Sequence, residues 1–357
     1  MRLVRLDWPL LVGLLALIAL GLVVSYSAAG QNELVLRNQL IRVAVGLGVL
    51  LVVSQATPPL LLRWAPALYV GTVALLVVVE LLGVVGQGAQ RWLDLGVVRF
   101  QPSELAKITV PMMLAWYLSD KALPVDLRST LIALALLMVP VALIMVQPDL
   151  GTSLLVAGAA LAVVFLSGVP WRWLLGCAGG LLAAAPLAWS LMQDYQRRRV
   201  MTLLDPERDP LGSGYHIIQS KIAVGSGGLY GKGWLEGSQS QLDFIPESST
   251  DFIFAVYAEE FGLVGNLLLI GLYGLLLWRG LHISMNAHES FSRLLGGSLV
   301  FSFAVYVIVN IGMVTGVLPV VGVPLPLVSY GGTSMVTLLL AFGILMAIRQ
   351  HRKLLPA

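Results

Sequence analysis

Five acidic residues stand just before an apolar segment of membrane length in the second half of the chain: Asp243, Glu247, Asp251, Glu259 and Glu260. Asp251 is followed directly by Phe252, Ile253 and Phe254. A carboxylate at the mouth of a helix buried in hydrocarbon costs free energy unless it is paired or used. The chemistry open to it is proton transfer. The alternative is a juxtamembrane acid that stays hydrated among the lipid headgroups.

A second polar group, Glu104 and Lys107, lies near the start of another apolar segment. Pro102 and Ser103 mark the start of a helix there, with Ser103 as the predicted N-cap. The three-residue spacing places the two charges on one helix face. They could form an ion pair that neutralises itself inside the membrane, or the polar wall of a cavity that opens outward. Ionisable residues within membrane segments are functional candidates by default, which favours the cavity.

Several further side chains could bind an anionic substrate. Arg91 and Arg99 precede this helix, and Lys232 lies in a glycine-rich stretch, residues 225–234. Backbone N–H groups of such a loop can cradle a phosphate, but the stretch is no Walker loop and could equally be a flexible linker. Asp149 either caps the following helix or faces the cavity, and both interpretations stay open.

An uncharged loop, residues 316–334, contains three prolines and several glycines. Its irregular backbone should be buried in protein or line a wet cavity, because lipid would leave its polar groups unpaired. Ser329, Thr333 and Ser334 offer hydroxyl groups, and structural packing and substrate contact are both open. Residues 215–224 have helical periodicity with one polar edge, as expected for an interfacial helix on the outer leaflet. Its lone His216 is interpreted as a hydrated surface residue.

The elements that must position these side chains are membrane helices. The chain has 357 residues, of which 58% are hydrophobic and only 11% are charged. We predict an all-α, polytopic membrane bundle that forms a single transmembrane domain over residues 1–357, with an extracytoplasmic loop at about 193–250. About ten spans are expected, at residues 9–28, 39–56, 64–82, 105–118, 130–146, 152–168, 171–192, 261–278, 293–314 and 333–348.

The distribution of lysine and arginine predicts the orientation. Basic residues at both ends of the chain favour cytoplasmic termini, which requires an even number of spans. Asp251 then lies at the outer face, and Arg37, Arg42, Arg91 and Arg99 fall on the outer side. The net charge of +3 is too small and too dispersed to indicate nucleic acid, whereas anionic lipid headgroups would suit this surface.

Five of these stretches, taken together and in order, resemble the SEDS family of bacterial shape, elongation, division and sporulation proteins. They are residues 101–107 (QPSELAK), 147–152 (QPDLGT), 225–233 (GSGGLYGKG), 246–254 (PESSTDFIF) and 329–333 (SYGGT). The resemblance covers essentially the whole chain. Residues 91–101 and 110–117 are more similar to elongation members than to division members.

The resemblance implies a peptidoglycan glycosyltransferase that polymerises lipid II into glycan strands at the outer face of the cytoplasmic membrane. Its implied partners are lipid II and undecaprenyl-linked glycan, a class B penicillin-binding protein that cross-links the product, and other membrane proteins of the elongation complex. Asp251 matches the aspartate on which polymerase activity depends, and Glu104 and Lys107 match a charged pair lining a central cavity.

These roles lead to a mechanistic hypothesis. Asp251 is the general base, while outer-face cations bind the departing diphosphate. Substrate contacts are expected from Glu104, Lys107, Arg91, Arg99, Lys232, Ser329 and Thr333. No cofactor is identified, although a divalent cation such as Mg²⁺ could share the task. One alternative is a flippase for lipid-linked precursors, since the same helix bundle would suit that function. The other is a purely structural partner of a periplasmic enzyme.

Overall fold

The structure is a computed structural model. It describes residues 6–86, 89–94, 96, 99–121, 125–192, 197, 201–203, 205, 213–242, 244–245 and 247–350. Within them there are ten helices of 17 to 33 residues, the same number as the ten spans predicted. They are α1 (Trp8–Ala28), α2 (Glu33–Ser54), α3 (Pro58–Leu82), α4 (Pro102–Ser119), α5 (Leu127–Val146), α6 (Leu150–Leu166), α7 (Trp171–Leu191), α10 (Ile253–Met285), α11 (Ser290–Val314) and α12 (Thr333–Gln350).

Seven of the ten, all except α4, α6 and α7, are long and apolar enough to cross a membrane by length and composition, and α6 is a shorter apolar helix. Between α7 and α10 lie α8 (Ser213–Ser226), which confirms the predicted helix at residues 215–224, and the short α9 (Ser238–Gln241).

A small antiparallel sheet occupies the segment between α3 and α4, where the sequence indicated only a loop. Its strands are β1 (Val84–Gly86), β2 (Ala89–Asp94) and β3 (Arg99–Phe100), in the order β1-β2-β3. The turn after β2 is set by Gly96, which has φ +82° and donates its N–H to the carboxylate of Asp94. A strand pair this short carries little sequence signal, because alternation needs several residues to show.

Some helix boundaries differ from the predictions. Helix α2 begins at Glu33, because the Asn32 side chain caps the N–H groups of Leu34 and Val35. Arg37 therefore lies within α2, as Arg42 does, and the guanidinium group of Arg42 stacks over the ring of Tyr330. Helix α4 begins at Pro102 with Gln101 at the N-cap position, so the prediction of Ser103 as the cap was wrong.

Helix α10 begins at Ile253, eight residues earlier than predicted, and is kinked at Gly262. Gly262 has φ 64° and ψ −160°, a conformation that only glycine adopts readily. The kink divides a short buried helix, which begins just after Asp251, from the longer part that resembles a membrane span. The predicted start at Phe261 coincides with the kink.

Helix α4 is the centre of the bundle, since it packs against α3, α5, α6, α11 and α12. Nearly all of its residues from Pro102 to Ala115 are buried. This position explains why Glu104 and Lys107, in its first two turns, are removed from solvent.

An ionic cluster ties three helices together at one end of the bundle. Asp7 is buried and caps α1 through Leu10 N–H. Its carboxylate accepts three hydrogen bonds from Arg279 of α10 and forms an ion pair with Arg349 of α12. The beginnings of α10 and α12 must therefore lie at the opposite end, called here the Asp251 end. Both ends of the described chain lie at the Asp7 end, in keeping with the even number of spans.

Candidate active site

Glu104 and Lys107 form a buried ion pair. The Lys107 ammonium donates to Glu104 Oε1 at 2.6 Å, and the two residues are 8% and 6% exposed. The ring of Tyr306 on α11 covers the same ammonium group, 4.9 Å from the ring centroid. An ammonium has three donor hydrogens, so this arrangement leaves donor capacity for a ligand.

The pair also lines a cavity, so both interpretations of the sequence apply together. Its polar side chains come from α4, α11 and α12: Glu104, Lys107, Ser302, Tyr306, Ser334 and Thr337. Its apolar side chains include Leu276, Leu299, Phe303, Phe342 and Leu345. Ser334 is in the first turn of α12 and Leu345 is three turns further on, so the cavity extends roughly 16 Å along that helix. The part of the cavity nearer the Asp251 end of the bundle is lined by polar side chains, and the part nearer the Asp7 end is lined by apolar ones.

The segment that carries Asp251 is held by hydrogen bonds to three consecutive carbonyl groups. Tyr330 N–H donates to Ser249 O at 2.9 Å, and Ser329 Oγ donates to Thr250 O at 2.6 Å. Asn310 Nδ2, on α11, donates to Asp251 O at 2.9 Å. The loop at residues 316–332 is thus joined to the Asp251 segment.

The Asp251 carboxylate itself faces this loop. A Cβ atom at Gly322, where φ is +74°, would lie 3.4 Å from Asp251 Oδ2, so the carboxylate lies near the side of Gly322 that has no side chain. The neighbouring Phe252 is buried and stacks with His216 of α8, with ring centroids 5.6 Å apart. His216 therefore packs beside the Asp251 segment and is half-buried, contrary to its interpretation as a hydrated surface residue.

The loop at residues 316–332 is buried only in its second half, with Val323 and residues 325–329 inside the protein, whereas residues 316–322 are partly or fully exposed. Ser329 Oγ also accepts a hydrogen bond from Leu325 N–H at 2.7 Å. Its one donor hydrogen is used in the bond to Thr250 O, so the hydroxyl group is already engaged within the protein. Thr333 is the first residue of α12 and is partly exposed. Substrate contacts by Ser329 and Thr333 stay predictions. Asp251 is not among the cavity residues, but the loop against it leads into α12, whose Ser334 lines the cavity.

The glycine-rich stretch is a clasp around the kink of α10. Lys232 and Gly233 donate their N–H groups to Glu259 O and Glu260 O, and Leu263 and Val264 donate to Gly228 O and Leu229 O. It is therefore no free linker, and the two N–H groups of 232 and 233 are not available to a phosphate.

Lys232 itself is paired with a buried acid. Its ammonium donates to Glu259 Oε1 at 2.7 Å, while its side chain keeps 30% exposure. The substrate contact by Lys232 stays a prediction. Glu259 already neutralises the charge of the ammonium group that would make this contact.

The other predicted cations have local partners or lie outside the described atoms. Arg91 donates to the carbonyls of Gln147 and Pro148 and lies 4.0 Å from Asp149, so it braces the turn before α6. Asp149 caps α6 through Thr152 N–H, which confirms the capping interpretation. Arg99 lies in β3, but its side chain is outside the described part of the structure.

The arginine run at 197–199 is described only in part. Arg197 binds the carbonyls of Trp189 and Ser190 at the end of α7, and residues 198 and 199 lie outside the described residues. Within the described part of the chain, no group of three or more His, Cys, Asp or Glu side chains could hold a metal ion.

Two residues of α11 were not singled out from the sequence. Tyr306 covers Lys107, and Asn310 joins Asp251 to the last loop. An asparagine in an otherwise apolar span is a signal that could have been read, because such a residue needs hydrogen-bond partners.

The fold and the site together define a polytopic membrane protein with a buried charged pair in its central cavity and an acid held rigidly at one end. The sequence matches the family FTSW_RODA_SPOVE, described as "Cell cycle protein", over residues 1–354. The chain belongs to this family, the SEDS proteins, as its motifs indicated.

Curated relatives extend over the full length. The chain is similar to the peptidoglycan glycosyltransferase MrdB of Escherichia coli strain K12, with 56% identity over 354 residues, 99% of this chain and 95% of the relative. It is 33% identical to the stage V sporulation protein E of Bacillus subtilis strain 168, over 97% of this chain and 98% of that protein.

Two solved structures share the fold. One, described as "Structural coordination of polymerization and crosslinking by a peptidoglycan synthase complex", has a TM-score of 0.87 and 36% identity over 98% of this chain and 99% of that chain. The other, the rod shape determining protein RodA of Thermus thermophilus, has a TM-score of 0.76 and 30% identity over 99% of both chains.

Proposed function

We propose that this protein is a peptidoglycan glycosyltransferase that polymerises lipid II into glycan strands, with Asp251 as its general base. The observation that carries the proposal is the full-length likeness, at 56% identity, to a curated relative named for that activity. The geometry supports it, since an acid held by its backbone lies at the same end as a buried cation beside a cavity.

The reaction joins two lipid-linked sugars. The 4-hydroxyl oxygen of the acceptor N-acetylglucosamine attacks the anomeric carbon of the donor sugar, forming the new glycosidic bond. The bond from that carbon to the diphosphate oxygen breaks, and undecaprenyl diphosphate leaves. Asp251 takes the proton from the attacking hydroxyl, a contribution of about 10²–10⁴-fold for a well-placed general base.

The leaving diphosphate needs positive charge as the bond breaks. Lys107 is suited to this task, because its ammonium group faces the cavity and Glu104 takes only one of its donor hydrogens. A divalent cation carried by the diphosphate would share the charge, in which case a chelator abolishes polymerisation and Mg²⁺ restores it. A rate unaffected by chelation would remove the metal from the mechanism.

The same proposal assigns location and partners. The protein crosses the bacterial cytoplasmic membrane with both termini inside, and the Asp251 end faces outward, where lipid II is polymerised. The structural relative described as a peptidoglycan synthase complex supports a class B penicillin-binding protein as the cross-linking partner, with other elongation proteins nearby.

The competing function is a flippase, which the buried charged pair and the cavity within the bundle would also suit. The deciding experiment gives purified protein lipid II in detergent, without another polymerase, and then places the protein in vesicles. Glycan chains support the glycosyltransferase. Transbilayer movement of lipid II without glycan supports the flippase, and neither activity would leave a structural role.

The role of Asp251 is tested by Asp251→Asn, which keeps the size of the side chain and removes the base. We expect polymerisation to fall by about 10²–10⁴-fold while the protein stays folded and membrane-inserted. Asp120→Asn is the matched control, because Asp120 is an exposed acid after the last residue of α4. Full activity of Asp251→Asn would exclude Asp251 as the base.

A further inference from the structure

We propose that Asn310 is a positioning residue for Asp251, an inference that rests on the proposed function. Asn310 lies in the last turns of α11, four residues before its final residue, and is fully buried. Its Nδ2 donates to Asp251 O at 2.9 Å and to Val323 O at 2.7 Å. An amide nitrogen has two donor hydrogens, so this group is saturated by the two bonds.

The two carbonyl groups belong to segments that lie outside the helices and strands. Asp251 is in the turn that precedes the first helical residue of α10, and Val323 is in the irregular loop between α11 and α12. Helix α11 is largely buried, so it holds the Asn310 side chain in place. The side-chain amide of Asn310 then acts as a fixed point between the two segments.

The bond to Val323 also determines what the Asp251 carboxylate faces. Val323 follows Gly322 directly, and a Cβ atom at Gly322 would lie 3.4 Å from Asp251 Oδ2. One amide therefore sets both the peptide that carries the carboxylate and the surface against which it rests. No other side chain of the described residues is found to bridge these two carbonyls.

Other bonds hold the same segment, among them Phe252 N–H to Glu247 O at 3.2 Å, but the Asn310 amide is the group that ties the Asp251 carbonyl to α11. Ser329 and Tyr330 bind the carbonyls of Thr250 and Ser249. Loss of the Asn310 amide should therefore leave the loop docked while loosening the link between the Asp251 carbonyl and α11. A base displaced by about 1 Å can cost roughly 10²-fold in rate even though the residues that bind substrate are untouched.

The test compares Asn310→Leu, which removes both donors at similar size, with Asn310→Ser, which keeps one hydroxyl donor. Polymerisation of lipid II is measured with purified protein as kcat and KM, normalised to folded protein. We expect kcat to fall by about 10²-fold in Asn310→Leu and by less in Asn310→Ser, with KM within a few-fold of wild type. Ser298→Ala is the control, because Ser298 is buried in the same helix and its hydroxyl binds only within that helix.

A second measurement separates positioning from general damage. In an Asp251→Asn background, Asn310→Leu should not lower the residual rate further, because the base that it positions is gone. Amide hydrogen exchange should rise in residues 249–252 of Asn310→Leu and stay unchanged in the control. If Asn310→Leu fails to fold, Asn310→Ser carries the same comparison.

Each remaining outcome counts against a defined part of the proposal. Wild-type kcat in Asn310→Leu, or in Asn310→Ser where only that variant folds, overturns the positioning role, provided that Asp251→Asn is inactive. An active Asp251→Asn variant overturns the proposed base instead. If Asn310→Leu lowers the rate by the same factor in the wild-type protein and in Asp251→Asn, Asn310 acts on structure alone, and the positioning role is overturned.

Discussion

Replacing the buried pair Glu104–Lys107 separates the structural part of this site from the chemical part. Three variants are needed: Glu104→Gln, Lys107→Met and the double variant. Each side chain keeps nearly its original length, so the cavity retains its shape while the charges are removed singly or together.

The magnitudes follow from burial and distance. The ammonium and carboxylate are 2.6 Å apart and less than one-tenth exposed. Breaking a buried pair by removing one partner costs about 3–5 kcal/mol, because the remaining charge is left without compensation, whereas replacing both partners by apolar or neutral groups is often close to neutral. The Tyr306 ring retains some attraction for Lys107 in Glu104→Gln, about 2 kcal/mol for a desolvated cation.

Stability and activity should therefore move apart. In unfolding by SDS in mixed micelles, the two single variants lose several kcal/mol and the double variant stays within about 1 kcal/mol of wild type. In polymerisation of lipid II, the double variant loses about 10²–10³-fold, as expected when a cation that stabilises developing charge is removed. Thr109→Val is the control, because Thr109 lies in the same helix and binds Thr72 away from the cavity.

Two results would refute this reasoning. A double variant with wild-type activity would make the pair purely structural. A double variant as unstable as either single variant would mean that the charges themselves, and not their imbalance, are needed for folding.

Two further predictions concern the scaffold. Asp7→Ala should destabilise the protein by about 3–5 kcal/mol, because Arg279 is left largely buried and unpaired, whereas Arg349→Gln should cost about 1 kcal/mol or less since that side chain is 40% exposed. SDS unfolding measures both, and equal losses would contradict the burial argument. Gly231→Ala should unfold the clasp around the α10 kink, because its Cβ would overlap Glu260 O at a φ of +81°, while Gly271→Ala, in open space, should fold normally. Limited proteolysis of residues 225–242 measures this, and an intact clasp in Gly231→Ala would refute it.

The sequence by itself determined the number and order of the helices. A membrane span must satisfy its backbone internally and consists mainly of apolar residues, so most spans are visible in their own stretch of chain. The same local logic placed Glu104 and Lys107 on one helix face and Asp251 just before a helix. The motifs at 101–107 and 246–254 then identified the family without any tertiary information.

Tertiary structure decided which polar groups are already in use. Lys232 is paired with Glu259, Arg91 with the turn before α6, and Ser329 with Thr250, although each had been a candidate for substrate. These partners are 27, 56 and 79 positions apart in the chain. Asn310 and Asp251 are likewise separated by 59 positions. Local periodicity carries no information about such pairs, because packing of whole helices brings them together, and that packing determines where Asp251 points.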